Sequence, residues 1–386
     1  MDNMFPKTAD VVIIGAGVMG ASTAYHLALR GQKNILLLEK DEFFGQEATG
    51  RCAGGVRYQF STEINVRLSL QSLPMLERFK EETGQEINFR RCGYLFVLTQ
   101  PEDVKTFQHS LALQQGLGVK TEWLSPDEIH RRLPLMRFED ALAGSYNPQD
   151  GLVDPNSVVM GYIGAAQRLG VQCLTNVEVT GVQVAAGRIA AVDTNQGRIS
   201  TRLVVNAAGP WAGLIGQMAG VAIPIVPLRR QIMTTTPLPE VPQDFPFVLD
   251  FAQSLYFHRE GEGILTGMSN SNEKAGFDQT VDDAFEMVNL EAAIARMPCL
   301  EKASMLSHWA GLYEVTPDAH PIYGIAPVDG FYIVAGFSGH GFMHGPISGK
   351  LMTECILDGK FLSLDVSVLD LAWFSEGRQI REYNVV

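Results

Sequence analysis

The first forty residues constrain this chain more than any other stretch. Ala9-Asp-Val-Val-Ile-Ile14 is a β-branched apolar run that stops at a glycine. A run of this kind, without alternation, reads as a parallel strand buried on both faces. Gly15-Ala16-Gly17-Val18-Met19-Gly20 follows, then a helical pattern over 18–30, then a second apolar strand over 34–39 that closes on Glu39. Glycines at this spacing are weak evidence alone. Set between a strand and a helix, with an acid 19 residues after Gly20, they are specific for a dinucleotide-binding βαβ unit. Gly15 permits the tight turn, Gly17 lets the backbone approach a diphosphate, and Gly20 lets the helix pack on the strand. The helix N-terminus then turns its free N–H groups and positive dipole end towards the phosphates. Glu39, followed by Lys40, can accept hydrogen bonds from ribose hydroxyls, and its charge disfavours a 2′-phosphate. The unit does not say which dinucleotide it takes.

Composition removes several alternatives. The chain has 386 residues, enough for two or three structural units, with 46% hydrophobic and 19% charged residues. That is globular composition. Thirty Lys and Arg stand against 43 Asp and Glu, a net charge of −13 with no basic run, so nucleic acid is not an expected partner. Cys52, Cys92, Cys173, Cys299 and Cys355 are scattered and never form a CxxC pair, which argues against a disulfide framework, a zinc site or an iron–sulfur cluster. Reduced cytoplasmic thiols are the expectation, with no metal. The apolar stretch from Asp10 to Leu29 is interrupted by His26 and by glycines, and is too short for a membrane span.

Further along, the pattern predicts a helix over 63–83, a strand over 93–98, a charged helix over 101–115, a helix over 153–170, and strands over 171–184, 188–194 and 199–208. A proline-rich stretch runs from Pro224 to Pro246. Strands at 255–257 and 263–266, a helix over 280–297, a strand at 331–335 and a helix over 345–358 complete the reading, with glycine-rich loops from about Gly311. No repeat or low-complexity tract interrupts it.

Gly45-Gln-Glu-Ala48-Thr49-Gly50-Arg51-Cys52-Ala53-Gly54-Gly55-Val56-Arg57 is rich in small residues, with Thr49 and Arg51 available for phosphate and polar contacts. It suits a second approach to an extended cofactor. From this point the chain resembles the D-amino-acid oxidase superfamily of flavoproteins, most closely the branch of sarcosine oxidase β-subunits, glycine oxidase-like enzymes and dye-linked proline dehydrogenase subunits. Val204-Val-Asn-Ala207-Ala208-Gly209-Pro-Trp211 is similar to that family's middle flavin-contacting strand and turn. Trp309–Gly324 is similar to its loop over the flavin, and Gly336-Phe-Ser-Gly339-His340-Gly341-Phe342-Met343 to its C-terminal flavin loop. The resemblance covers nearly the whole chain in the expected order.

The resemblance implies an α/β fold. A Rossmann-like FAD-binding domain would be built discontinuously from 1–85, 146–222 and 310–386. A mixed-sheet α+β substrate domain would be inserted as 86–145 and 223–309. The implied FAD contacts are Gly15 to Gly20, including Ala16, Val18 and Met19; Glu39, Lys40, Ala48, Thr49, Arg51, Ala53, Gly54 and Gly55; Val179, Ala207, Ala208, Gly209 and Trp211; and Gly311, Gly336, Gly339, His340, Gly341, Phe342 and Met343. Glycine-rich backbone at 336–341 ahead of a helix can aim N–H groups and a dipole at the edge of the flavin that carries negative charge when reduced.

The implied substrate is a small amino acid, N-methylated, cyclic or glycine-like. It would be oxidised at its C–N bond to an imine that water hydrolyses, with oxygen, a dye or a partner subunit as electron acceptor. Two carboxylate anchors of the family are missing: Met343 stands where sarcosine oxidases carry a lysine, and Tyr313 where glycine oxidase-like members carry an arginine. Arg57 is the leading replacement, against a salt bridge or flavin-edge contact, and Arg259 is second. Tyr256, His258, Tyr313 and His340 are the further pocket candidates, with His340 supporting the loop more than acting as a base. Gly311 stands where some relatives carry a flavin-linking cysteine, and Gly151-Leu-Val-Asp154-Pro155 lacks the histidine that tethers a second flavin. FAD is therefore expected to be noncovalent. Leu265 matches a lysine of oxygen-using relatives, which favours dehydrogenase activity. Two alternatives stay open: oxidation of a 2-hydroxy acid, and a flavin-fold subunit whose heteromeric partner completes electron transfer.

Overall fold

The computed structural model describes residues 5–377 and 380–385. A six-stranded sheet runs in the order Ile322–Ile325, Phe331–Ala335, Val204–Asn206, Val11–Ile14, Ile35–Leu38, Gln172–Leu174. Its strands come from the beginning, centre and end of the chain. All neighbours are parallel except the first pair. Ile14 lies beside both Leu38 and Asn206, and Asn206 beside Ile333. The parallel strands therefore end nearly level, and Gly15, Glu39, Ala207 and Gly336 open from one edge. In doubly wound sheets the crevice outside this edge is where ligands sit.

The continuous apolar run explains the position of this sheet. Val11 and Ile13 point into a core shared with the helices Val18–Leu29, Glu63–Glu77, Pro155–Arg168 and Gly341–Asp358. Val12 and Ile14 point to the other face, over a three-stranded sheet of Val179–Ala185, Arg188–Thr194 and Gly197–Ser200. All four side chains are at most 5% exposed, and burial of each contributes about 1.5–3 kcal/mol.

An eight-stranded sheet runs Met305–Val315, Val226–Thr235, Gly263–Met268, Leu255–Glu260, Phe247–Asp250, Tyr94–Leu98, Ala143–Asn147, Glu122–Leu124. It is antiparallel except where Phe247–Asp250 meets Tyr94–Leu98. Among the described residues, no helix is long and apolar enough to cross a membrane.

Several expected elements differ. The proline-rich stretch contains the ten-residue strand Val226–Thr235. Its first half pairs only with Met305–Val315, and pairing on the other side begins at Gln231. Pro227 thus lies where one edge is open, the place a strand tolerates proline. The expected loop over 309–324 is largely strand, with turn only between Val315 and Ile322. The 171–184 and 199–208 patterns each split into two strands serving different sheets. The 63–83 helix breaks at Arg78. The last long helix starts at Gly341, not near 345, and carries Pro346 inside it. The Ser22 hydroxyl donates to the Pro346 carbonyl and the Ser72 hydroxyl accepts the Ile347 N–H, which ties the turn around the proline to the helices Val18–Leu29 and Glu63–Glu77.

Candidate functional site

Outside the carboxyl edge of the six-stranded sheet lies a cleft of about 1270 Å³ of protein-free space, open solvent included. Gly15, Gly17, Val18, Met19, Glu39 and Lys40 wall it at one end. Ala48, Thr49, Cys52, Val179, Ala207, Ala208, Gly209 and Trp211 continue the wall, and Tyr313, Gly339, Gly341 and Phe342 close it. The first turn can open here because Gly15 has φ +98°, and a Cβ on it would fall 2.5 Å from the Ala207 carbonyl oxygen.

Local chemistry fits a diphosphate followed by a ribose. The helix Val18–Leu29 has Gly17 as N-cap, without a capping side chain. The Val18 N–H donates to Thr49 Oγ1 at 3.2 Å, which leaves first-turn N–H groups of the helix to a ligand. Glu39 Oε2 accepts from the Ala16 N–H at 2.9 Å and Oε1 from the Asp41 N–H at 3.1 Å. Each oxygen keeps a further lone pair for a ribose hydroxyl. Burial raises the Glu39 pKa, and the two N–H groups oppose that rise. Lys40 Nζ stands 4.2 Å over the Trp211 ring and bonds to Asp41 and Glu47.

At its other end the cleft meets a second cavity of about 820 Å³. Ala48, Cys52, Leu312, Tyr313, Gly339 and Phe342 belong to both. The second cavity is further lined by Arg51, Ala53, Gly54, Gly55, Arg57, Tyr94, Arg230, Phe247, Tyr256, Gly311, Ser338 and Met343, and by Val385 of the C-terminal segment. Gly339 has φ +96°, and a Cβ on it would fall 2.3 Å from Tyr313 Cε2, so the turn before Gly341 can lie flat on that ring. A long groove thus opens into a small chamber through a shared wall.

The chamber's cations differ in what they already hold. Arg57 is 5% exposed, donates to the backbone carbonyls of Gln59 and Asn384, and packs over the Phe60 ring. Burial holds its pKa below the usual arginine range. Arg51 donates to the Ala310 carbonyl at 2.7 Å and lies near Glu47. Arg230 sits 5.1 Å from the centre of the Tyr313 ring. Its Nη1 donates to the Arg229 carbonyl at 2.9 Å, and its buried Nε has no partner. Among the described residues no carboxylate pairs with Arg230. The alternation of the strand sends Arg229 the other way, to Glu273, Asp278 and Asp282.

The structure therefore brings Arg57, Tyr256 and Tyr313 to the chamber wall, and not His258 or His340. His258 is buried behind Phe247, with Nδ1 3.0 Å from the Arg259 carbonyl oxygen. His340 packs among Phe60, Phe337 and His344, and neither ring nitrogen has a partner. Burial holds both histidines below their usual pKa, His258 at about 4. Arg259 turns to the Val241 carbonyl. Arg51, Ala53, Gly54, Gly55, Gly311 and Met343, expected at the cofactor, line the chamber next to the cleft. Ala16, Gly20, Gly336 and His340 line neither space. Leu265 lies in the apolar cluster with Tyr256 and Phe247. Sequence reasoning missed Arg230, Glu314, Tyr94, Phe247, Ser338 and Val385. Arg230 gave no usable signal, because the stretch from Pro224 to Pro246 is not predicted as a strand from the sequence.

A family model for FAD-dependent oxidoreductases (DAO) matches residues 10–355. The structure of L-proline dehydrogenase from P. horikoshii is 35% identical, covers 97% of this chain and 100% of that chain, and superposes with a TM-score of 0.90. Glycine oxidase from Geobacillus kaustophilus is 25% identical over 95% of this chain and 98% of its own, with a TM-score of 0.85. Among curated relatives, mitochondrial dimethylglycine dehydrogenase of Rattus norvegicus is 32% identical over 91% of this chain and 43% of its own length. Human (Homo sapiens) mitochondrial sarcosine dehydrogenase is 32% identical over 92% and 40%. The chain spans less than half the length of these curated relatives.

Proposed function

Because the chain belongs to the DAO family of FAD-dependent oxidoreductases, we propose that it oxidises the C–N bond of a small amino acid with a secondary amine, N-methylated or cyclic, using noncovalently held FAD. The observation that carries this reading is Arg230, a guanidinium without a carboxylate partner among the described residues, in a chamber that shares its wall with the cleft. A proline dehydrogenase and a sarcosine dehydrogenase, both named for secondary amines, support the substrate class, while a glycine oxidase and a dimethylglycine dehydrogenase support a small amino acid with a primary or tertiary amine.

FAD, when bound, supplies the acceptor for the hydride that leaves the carbon next to nitrogen. The chain's own residues bind, orient and discriminate. Arg230 holds the substrate carboxylate through its fork of N–H donors. Tyr256, Tyr313 and Phe247 give the carbon skeleton an aromatic box. The guanidiniums of Arg57 and Arg230 disfavour a further positive charge nearby, so the amine binds as the neutral base that can release hydride. Backbone N–H groups at the start of the helix Gly341–Asp358, whose Gly341 and Phe342 line the cleft, favour negative charge on a ligand there.

We assign the six-stranded sheet and its helices to the cofactor unit, and the eight-stranded sheet to the substrate unit. On sheet membership the last boundary follows Val315, since Met305–Val315 belongs to the eight-stranded sheet. The chamber lining among the described residues includes no lysine, which accords with an electron acceptor other than oxygen.

The test is anaerobic mixing of the FAD-loaded protein with sarcosine, dimethylglycine, L-proline, glycine and 2-hydroxy acids, followed through flavin absorbance. Bleaching by an N-substituted amino acid supports the proposal. Bleaching by hydroxy acids alone, or by none, defeats it. Acid precipitation should leave the flavin in the supernatant; flavin retained in the pellet defeats the noncovalent assignment.

A further inference from the structure

We propose that Glu314 binds the cofactor as a neutral acid, donating a hydrogen bond from Oε2 to an acceptor oxygen of FAD, so that FAD affinity falls as pH rises past neutrality. The inference concerns cofactor retention and rests on the cleft being the FAD site, not on which amine is oxidised.

Glu314 lies near the end of the strand Met305–Val315 and lines the cleft. Its position is fixed from two directions. Oε1 accepts the Phe337 N–H at 3.2 Å, and its backbone carbonyl accepts the Ser338 N–H at 3.1 Å. Oε2 is buried without a partner. It sits 3.7 Å from where a Cβ on Gly209 would be, and Gly209 is itself part of the cleft wall. The free oxygen therefore stands where the central and C-terminal segments of the cleft meet.

Among the described residues no Lys, Arg or His forms an ion pair with Glu314. The groups that face it are the N–H groups of the turn at Gly336 and Phe337, and Tyr323 from the strand Ile322–Ile325, whose hydroxyl is bonded to Ser348. Gly209 brings no side chain. Burial drives the carboxyl pKa up to about 7. A carboxylate here would be desolvated, unpaired and close to a ligand that carries two phosphates. A carboxylic acid has an O–H for any acceptor oxygen, phosphate or ribityl. Bound FAD then favours the protonated form further, so binding takes up a proton when the solution pH exceeds the free group's pKa.

The experiment measures FAD dissociation constants of the apo-protein by flavin fluorescence at fixed ionic strength from pH 6.5 to 8.5, for wild type and Glu314→Gln. Wild-type affinity should fall about 25-fold over that range, the fall expected for one proton linked to a free group that titrates at about 7. Glu314→Gln should bind within about threefold of wild type at pH 6.5 and stay flat to pH 8.5, because its amide keeps a donor and cannot ionise. Calorimetry in two buffers of different ionisation enthalpy should show proton uptake on wild-type binding at pH 8, a readout that stands if the variant does not fold. A flat or rising wild-type affinity, an equal slope in Glu314→Gln, or no proton uptake overturns the proposal. Failure to bind FAD at any pH would overturn the cofactor assignment itself.

Discussion

Replacing Arg230 by methionine tests the site most directly, because it keeps the length of the side chain and removes the fork. One of the five guanidinium N–H groups goes to the Arg229 carbonyl. The other four have no protein acceptor among the described residues, so a substrate carboxylate can take two of them in parallel. Hydrogen bonds to a charged group are worth about 1.5–3 kcal/mol. Loss of the pair, at about 3 kcal/mol or more, predicts a fall of at least roughly 150-fold in kcat/KM for the amino acid. Arg230→Lys should fall between, since lysine keeps the charge without the planar fork. The assay is anaerobic flavin reduction with the amino acid and with the same amine lacking its carboxylate, pyrrolidine in place of proline or dimethylamine in place of sarcosine. Only the carboxylated substrate should suffer; the simple amine should react within about threefold of its wild-type rate, because the lost interaction never involved it. Equal losses on both would place Arg230 in folding or flavin binding. No loss on either would return the anchor role to Arg57.

Gly339→Ala should lower FAD occupancy, because the new Cβ would overlap the Tyr313 ring at 2.3 Å and L side chains rarely adopt φ +96°; flavin content per protein that matches wild type would contradict this. Glu382→Ala should cost about 2–4 kcal/mol in denaturant unfolding, since its carboxylate takes hydrogen bonds from the N–H and hydroxyl groups of both Ser61 and Thr62 and from Asn65; a loss under about 0.5 kcal/mol would show that the C-terminal segment is not held there. The melting temperature should fall on acidification from pH 6.5 to 4.5. Burial lowers the pKa values of His26, His258 and His344 to about 3, 4 and 3, so their contribution is complete above the unfolded value near 6.5 and is lost as pH falls. Asp150 and Glu314, raised to about 7, contribute with the opposite sign over the same window, as do Glu39, Asp103, Glu260 and Asp318, which burial also raises. His340, held well below its usual value, adds to the other three histidines, and these four buried rings set the expected direction. A melting temperature that holds or rises would refute the balance.

The parts of the molecule legible in the sequence were those where one local rule decides the outcome. A buried parallel strand must be apolar on both faces, so Val11–Ile14 and Phe331–Ala335 stood out. A tight turn at a strand end must be glycine, so the turn after Ile14 did too. The eight-stranded sheet was harder because its strands satisfy one another across long separations. Val226–Thr235 opens next to prolines and shows no polar-apolar alternation, and what makes it a strand is pairing with residues some eighty positions later. Most residues that the motif resemblance pointed to line the cleft or the chamber. The resemblance could not separate cleft from chamber, because that division depends on where the turn at 336–339 lies against Tyr313.

The contrast between Arg57 and Arg230 shows why a charge near a motif is a poor guide to the one that meets substrate. Arg57 follows a glycine-rich loop and was the natural candidate. The same loop carries it into the interior, where burial at 5% exposure demands compensation, and it finds that compensation in backbone carbonyls of Gln59 and Asn384 and in the face of Phe60. A guanidinium so committed is a strut between the loop and the C-terminal segment, and withdrawing it to seize a ligand would strand those carbonyls at about 1–3 kcal/mol each. Arg230 faces the reverse situation. Its neighbour Arg229 takes the acidic partners on the opposite face of the strand, so Arg230 keeps a buried donor without an acceptor. Leaving that donor unmet costs the folded protein something, and a bound carboxylate would remove the cost. On this reasoning the affinity for an acidic ligand comes partly from relieving the apo-protein, and Arg230→Met should raise the melting temperature of the ligand-free protein slightly while it weakens substrate binding. A variant that lost both stability and binding would show that Arg230 serves the fold first.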